Sequence, residues 1–309
     1  MYAFKRVMIG LDFTLMDKGL IQFASALARL IEPEDIFFVN IQPSLELPED
    51  LQEEFPMFRE SPEAQLRQEL RALLVEHFPH YEAWQDRLHP MVIQGSPRKE
   101  LLRQTHDLDI DLLVMGQKAT KHGSGVVPTQ VARKADCSVL FLPEHPPQQL
   151  RRILIGCDFS EPSKLALEEA ISLRQRTPKD VDLTLLHAYQ VPMGYYKTGR
   201  TEAQFAALMH QHAEKRLAKF VDEHHLDLKG VHHKFVYAKK QSAAAILHQE
   251  AKKMDVDLII VAARGLGGLS ALFLGSTTEK IIKQSLSKAI LVVKQKGQQQ
   301  TLRELIEQI

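Results

Sequence analysis

Of 309 residues, only two are cysteine and one is tryptophan. Cys137 and Cys157 are too few for a disulfide scaffold and do not form a C-x-x-C pair. Charge of one sign is equally lacking. The 39 basic residues balance 39 acidic ones, so no bulk field draws the protein to nucleic acid or an anionic membrane. The longest apolar runs, such as residues 258–263, fall far short of the ~20 needed to cross a bilayer. Residues 1–7 lead into a strand-like run without the apolar core of a signal peptide. These absences predict a cytoplasmic protein with neither a nucleic acid nor a membrane as partner. The remaining composition, 44% apolar and 25% charged, is ordinary for a globular chain, and the length suits about two domains of ~100–200 residues.

The chain is written twice. Lys5-Arg-Val-Met-Ile-Gly-Leu-Asp12-Phe-Thr14 returns as Arg151-Arg-Ile-Leu-Ile-Gly-Cys-Asp158-Phe-Ser160, with the aspartates 146 residues apart. Asp109-Ile-Asp111 returns as Asp255-Val-Asp257 at the same interval, and Ser138-Val-Leu-Phe-Leu as Ala289-Ile-Leu-Val-Val at 151. The second copy therefore carries five extra residues between its fourth and last strands. In that copy, strand-like runs are expected at 152–158, 182–189, 234–237, 257–262 and 289–293. They alternate with helical patterns, one opened by Ser160 as N-cap with Pro162 in its first turn. Such an order predicts, in each copy, an open, mostly parallel five-stranded sheet with helices on both faces, a Rossmann-like α/β architecture. The expected domains are residues 1–144 and 150–296. Between them lies a proline-bearing polar linker, and an amphipathic tail over 297–309 presents Leu302, Leu305, Ile306 and Ile309 on one face.

In an open parallel sheet, ligands bind at the carboxyl ends of the strands where the strand order reverses. At such an end the second copy reads Ala262-Ala-Arg264-Gly265-Leu-Gly267-Gly268, and Gly275-Ser276-Thr277 follows at a helix start. The glycines let backbone N–H groups approach an anion, and the helix start adds free N–H groups and a positive dipole end. No P-loop sequence is present. Gly265-x-Gly267-x-x-Ser270 only approaches a dinucleotide fingerprint, and it follows a fourth strand rather than a first.

With these residues in view, nearly the whole chain resembles a tandem universal stress protein. The ATP-binding branch of that family carries G-x-x-G, nine residues, then G-[ST]. Here Ala262-x-x-Gly265 and Gly275-Ser276 keep the spacing, with alanine for the first glycine. The resemblance implies an adenine nucleotide, ATP with or without Mg, held mainly by the second copy. Asp158 would meet the ribose or adenine edge, and Ala188, after His187, would line the adenine pocket. Phe159, Ala262, Arg264, Gly265, Gly268, Gly275, Ser276 and Thr277 complete the implied site. The family's habit of pairing also implies that the copies pack about a pseudo-twofold axis, within one chain or in a homodimer. The last strands, ending at Leu142 and Val293, are the expected pairing edge because an exposed hydrophobic edge strand needs cover. A stress-linked sensor or regulator with a protein partner is the implied role.

The first copy keeps Asp12, Ile41 in the adenine-lining position and Gly116, but has Ala119 for the second glycine and a loop five residues shorter. Its Lys118-Ala-Thr-Lys-His-Gly123-Ser124-Gly125 reads as an anion nest or as a tight turn. Asp158 itself reads as a ligand contact or as a cap for its own turn. No nucleophile elbow and no acid–base pair stands out, so no catalytic residue is assigned and at most slow ATP hydrolysis is expected. The paired histidines His224-His225 and His232-His233, like His210 and His212, lack zinc-type spacing and read as solvated polar groups. The alternative to nucleotide binding is a scaffold or interaction protein, or a small-molecule or metal binder using the first copy's crevice.

Overall fold

The computed structural model describes residues 4–43, 63–117, 126–177, 180–264, 274–285 and 287–296. The first copy runs β1 (Arg6–Leu11), α1 (Met16–Ile31), β2 (Asp35–Gln42), α2 (Glu63–His77), a single turn α3 (Tyr81–Trp84), β3 (Leu88–Gln94), α4 (Pro97–Asp107), β4 (Leu112–Gly116), α5 (Val126–Lys134) and β5 (Ser138–Leu142). The second runs β6 (Arg152–Gly156), α6 (Glu161–Arg176), β7 (Asp182–Tyr189), α7 (Glu202–His224), β8 (Val231–Tyr237), α8 (Ala243–Lys253), β9 (Leu258–Ala262), α9 (Ser276–Gln284) and β10 (Ala289–Val293). The tail and the first copy's 118–125 segment lie outside the described residues, as do Gly265, Gly267 and Gly268.

The strands form one sheet in the order β3-β2-β1-β4-β5-β10-β9-β6-β7-β8. Within each copy all pairs are parallel. The two halves meet where β5 pairs antiparallel with β10, with Phe141 opposite Ile290, Leu140 opposite Leu291 and Val139 opposite Val292. Both partners are buried along their whole length, as expected of apolar runs covered on both faces. The outermost strands are more polar. Pro90 in β3 removes a donor from one edge, and His232 and His233 stand exposed on β8 at the other.

One apolar core lies beneath α1, α2, α6 and α7 and includes Leu20, Leu74, Ala166 and Phe220. The other lies beneath α4, α5, α8 and α9 and includes Leu101, Val131, Leu247 and Ile281. Each core is continuous across both copies. Ser160 caps α6, its hydroxyl accepting from the Ser163 N–H at 3.3 Å, and Pro162 occupies the first turn as the sequence predicts. Two strands differ from expectation by two or more residues. The first strand of the second copy stops at Gly156, which frees Asp158 for the following turn. β8 begins three residues early at Val231, because an edge strand can expose the polar His232 and His233.

Side chains also cross the seam. The Lys294 ammonium donates to the carbonyls of Arg133 and Ala135 at the end of α5. In return, Gln117 Nε2 donates to the Ile282 carbonyl in α9 at 2.5 Å. Lys296 bridges to Asp111 at 2.7 Å, and the other oxygen of Asp111 accepts from the Lys5 and Arg6 amides. Helix ends left open by one copy are therefore capped by the other.

Two continuous cores predict one cooperative unfolding transition rather than two. The sole tryptophan, Trp84, reports on the first copy by fluorescence, whereas far-UV circular dichroism reports on both. In urea the two signals are expected to coincide. Phe141→Ala at the seam is expected to cost about 3–5 kcal/mol and to shift both together; separated midpoints would contradict a shared core.

Candidate functional site

The strand order reverses in the second copy between β6 and β9, which are hydrogen-bonded neighbours with Ile155 opposite Ile260. Their carboxyl ends hold the residues singled out in the sequence. After β6 the chain turns sharply, with Phe159 in the left-handed region at φ 61°. Asp158 holds this turn: its Oδ1 accepts from the Ser160 amide at 3.2 Å, the Ser160 hydroxyl at 2.5 Å and the Ser163 hydroxyl at 2.5 Å. Strain at a bulky residue needs such over-determination. The first copy repeats the device, with Phe13 at φ 54°, the Thr14 hydroxyl 2.6 Å from Asp12 Oδ1, and Asp17 accepting from the Asp12 and Phe13 amides. Holding the turn is thus a role both aspartates share.

Phe159 is buried and packs against His187, with ring centres 4.3 Å apart. The His187 Nδ1–H donates to the Cys157 carbonyl at 2.9 Å, since that oxygen can only accept. Burial holds the His187 pKa below its ordinary value and pushes the Cys157 thiol up to about 12, so both stay uncharged near neutral pH. At the matching place in the first copy, Asn40 Nδ2 donates to the Leu11 carbonyl at 3.1 Å. This equivalence matches Ile41 of the first copy to Ala188 of the second. Ala188 is half-buried and pairs with Val236. Arg216, which sequence reasoning missed, reaches across from α7. Its guanidinium lies 5.0 Å from the centre of the Phe159 ring and donates to the Asp158 carbonyl at 3.3 Å. No spacing rule links a mid-helix arginine to a loop 58 residues earlier.

On the β9 side, Ala262 is buried in the core, and its carbonyl accepts from the Thr278 hydroxyl at 2.7 Å. Gly275 is the N-cap of α9, and its amide donates to the Ala263 carbonyl at 2.7 Å. Ser276 is exposed and Thr277 half-buried on the first turn of α9. Asp158, Phe159 and His187 therefore form one cluster at the end of β6, while Ala262 and Thr278 join the end of β9 to α9. Beyond the ends of β9 and β10 a cavity of about 160 Å³ opens against the start of α6, lined by Pro162, Ala263, Arg264, Leu274 and Lys294, with the end of α5 from the first copy.

The equivalent first-copy positions are filled differently. Met16 stands where the second copy has Pro162, and a Cβ added to Gly116 would lie 2.8 Å from Met16 Cε. Leu20 replaces Ala166, Gln117 replaces Ala263 and extends to α9, and Pro143 replaces Lys294. The family-type first glycine thus survives in the copy whose crevice is packed with Met16, whereas the copy with Ala262 has the smaller neighbours. Comparing the two copies at matched positions is the sequence signal that would have exposed this asymmetry.

Comparison with known proteins agrees with the architecture. The model of the Universal stress protein family matches residues 3–143 and again residues 149–294. Among curated relatives, Universal stress protein YxiE of Bacillus subtilis (strain 168) is 27% identical over 156 residues, covering 46% of this chain and 97% of its own. Universal stress protein MJ0577 of Methanocaldococcus jannaschii is 27% identical over 162 residues, covering 48% of this chain and 96% of its own. Each spans a single copy. Over the full tandem, the structure of a functionally unknown protein from Pseudomonas aeruginosa PAO1 matches with a TM-score of 0.66 at 13% identity, covering 99% of this chain and 98% of that one. A universal stress protein from Archaeoglobus fulgidus DSM 4304 matches with a TM-score of 0.62 at 17% identity, covering 94% and 98%. At these identities the structures establish the fold.

Met16 is buried against Gly116. Met16→Ala is expected to lower stability by about 2–5 kcal/mol in urea denaturation, the cost of a core cavity. A change under about 1 kcal/mol would show that Met16 does not fill the first crevice.

Proposed function

The chain belongs to the universal stress protein family, and on that premise we propose that its second copy binds an adenine nucleotide, ATP with or without magnesium, at the carboxyl ends of β6 and β9. The observation that carries this reading is the asymmetry between the copies. The second crevice has Pro162 and Ala263 where the first has Met16 and Gln117, and a cavity opens there beside the start of α9. The nucleoside falls to Asp158, Phe159, His187 and Ala188, and the phosphates to Arg264, Gly265, Gly268, Gly275, Ser276 and Thr277. Placement of the Ala262 methyl within the core supports the reading too, because that Cβ is part of the protein's own packing. No residue is assigned as a catalyst. The proposed role is that of a sensor or regulator: nucleotide bound against residues 265–275 alters the surface offered to a protein partner.

Gly275 makes the test clean. Its φ of −61° and ψ of 143° suit any residue. A Cβ there would meet the Ala263 carbonyl at 3.4 Å and Arg264 Cα at 3.5 Å, which are ordinary contacts. The fold itself therefore does not require glycine, whereas a phosphate approaching the backbone would. Calorimetric titration of Mg-ATP into the full chain is expected to give saturable one-to-one binding. Gly275→Ala should weaken it roughly tenfold and Gly275→Val abolish it, with little loss of thermal stability for the alanine variant. No heat with wild type, and no nucleotide released on denaturing the purified protein, would overturn the proposal.

A further inference from the structure

We propose that the cavity at the seam is a phosphoryl pocket, with Lys294 as its binding cation and the end of α5 from the first copy as its far wall. The proposal rests on the nucleotide reading of the second copy and deepens it: the first copy completes the site of the second.

Lys294 immediately follows β10, and its side chain lines the cavity. Among the described residues its ammonium forms no ion pair and donates to the carbonyls of Arg133 and Ala135. Its hydrogen bonds go to neutral oxygens, and Asp136 acts on it from beyond ion-pair distance, so the ammonium can still take a bound anion as a direct partner. Burial pulls its pKa down to about 8, with Arg264 adding to the decrease. Two cations, Lys294 and Arg264, thus share one cavity with Arg133, whose guanidinium lies 3.3 Å from Glu279. The acids on the same lining are Asp136 and Glu161. Glu161 is engaged from the solvent side by Lys164 at 3.3 Å and His224 at 3.4 Å. Asp136 Oδ1 is buried without a hydrogen-bond partner, so the site also calls for a donor, which a water bound with the phosphate supplies. At about 160 Å³ the cavity has room for several waters or a phosphoryl group rather than a whole nucleotide. Its walls include Ala263, Arg264 and Leu274, the described residues on either side of the glycine segment.

The chemistry predicts a pH signature. The groups around the Lys294 ammonium are Arg133, Arg264, Asp136, Glu161 and Cys137. The arginines stay charged at any ordinary pH, and burial pushes the Cys137 thiol up to about 12, so it stays neutral through the window. The phosphoryl group completes its second ionisation near ~6. Lys294 is thus the group that titrates near pH 8. A bound anion favours its protonated form, so affinity should be full below pH 8 and fall towards roughly tenfold per unit above it.

The test measures binding of ATP, adenosine and inorganic tripolyphosphate between pH 7 and 9.5 to the full chain, to Lys294→Gln and to Lys294→Arg, with melting curves confirming that each folds. The expected result is that Lys294→Gln weakens ATP and tripolyphosphate at pH 7 by roughly tenfold or more and leaves adenosine within twofold. Lys294→Arg, which keeps its charge at every pH used, should restore ATP binding and flatten the pH profile. Wild-type ATP affinity with no fall above pH 8, equal to that of Lys294→Gln, overturns the pocket and leaves the nucleotide reading standing. Tripolyphosphate binding that depends on Lys294, with no response to ATP or adenosine, supports the pocket and overturns the adenine reading. No binding of any of the three overturns both.

Discussion

Three apolar pairs between β5 and β10 turn two open sheets into one. Each copy alone would leave a fully apolar last strand as a bare edge, with unpaired backbone groups and side chains suited to burial on both faces. Pairing those edges removes the hazard for both copies and sets nearly everything else. It aligns the two cores, brings α1 beside α6, and places the end of α5 over the carboxyl end of the second copy's sheet. The Lys294 and Gln117 bonds exist because that pairing delivers helix ends to the opposite strands.

Much of this fold was legible in the sequence, because repetition and apolar run length are both written in one dimension. The interval of 146 between Asp12 and Asp158, and again between Asp111 and Asp257, marks positions that perform the same task in both copies. Asp111 and Asp257 each accept from two successive amides at the start of the first strand. The assignment of the last strands as the pairing edges followed from their unbroken apolar character. Legibility failed where the decisive neighbour is remote in sequence. The extension of β8 back to Val231 depends on being at an edge, where His232 and His233 need no burial. Met16 and Pro162 look unremarkable until Met16 is placed against Gly116 and Pro162 on the cavity of the second copy. Arg216 and Lys294 acquire meaning only through the elements that bring them to Phe159 and to Ala135.

The turn after the first strand of each copy stores strain. A phenylalanine at positive φ is costly, yet both copies keep one, buttressed by an aspartate and two hydroxyls in the second copy and by two aspartates and a threonine in the first. The second copy's turn abuts a cavity and the first copy's abuts Met16, so the strained geometry serves the architecture of the unit whatever the crevice holds. This divides Asp158 from Gly275. The aspartate holds the turn, whereas the glycine occupies ordinary backbone geometry that does not itself demand a glycine.

Covalent linkage of the two copies relaxes a rule that governs self-paired subunits. In a symmetric dimer every residue at the seam appears on both sides of the axis, so a lysine that caps a helix on one side must cap its counterpart on the other. Here Lys294 faces the first copy while its counterpart is Pro143, and Gln117 faces the second while its counterpart is Ala263. Each seam position can thus specialise without being mirrored, one crevice being closed by a change that leaves the other open. The association of the halves is also independent of protein concentration, because the chain itself holds them together at any dilution.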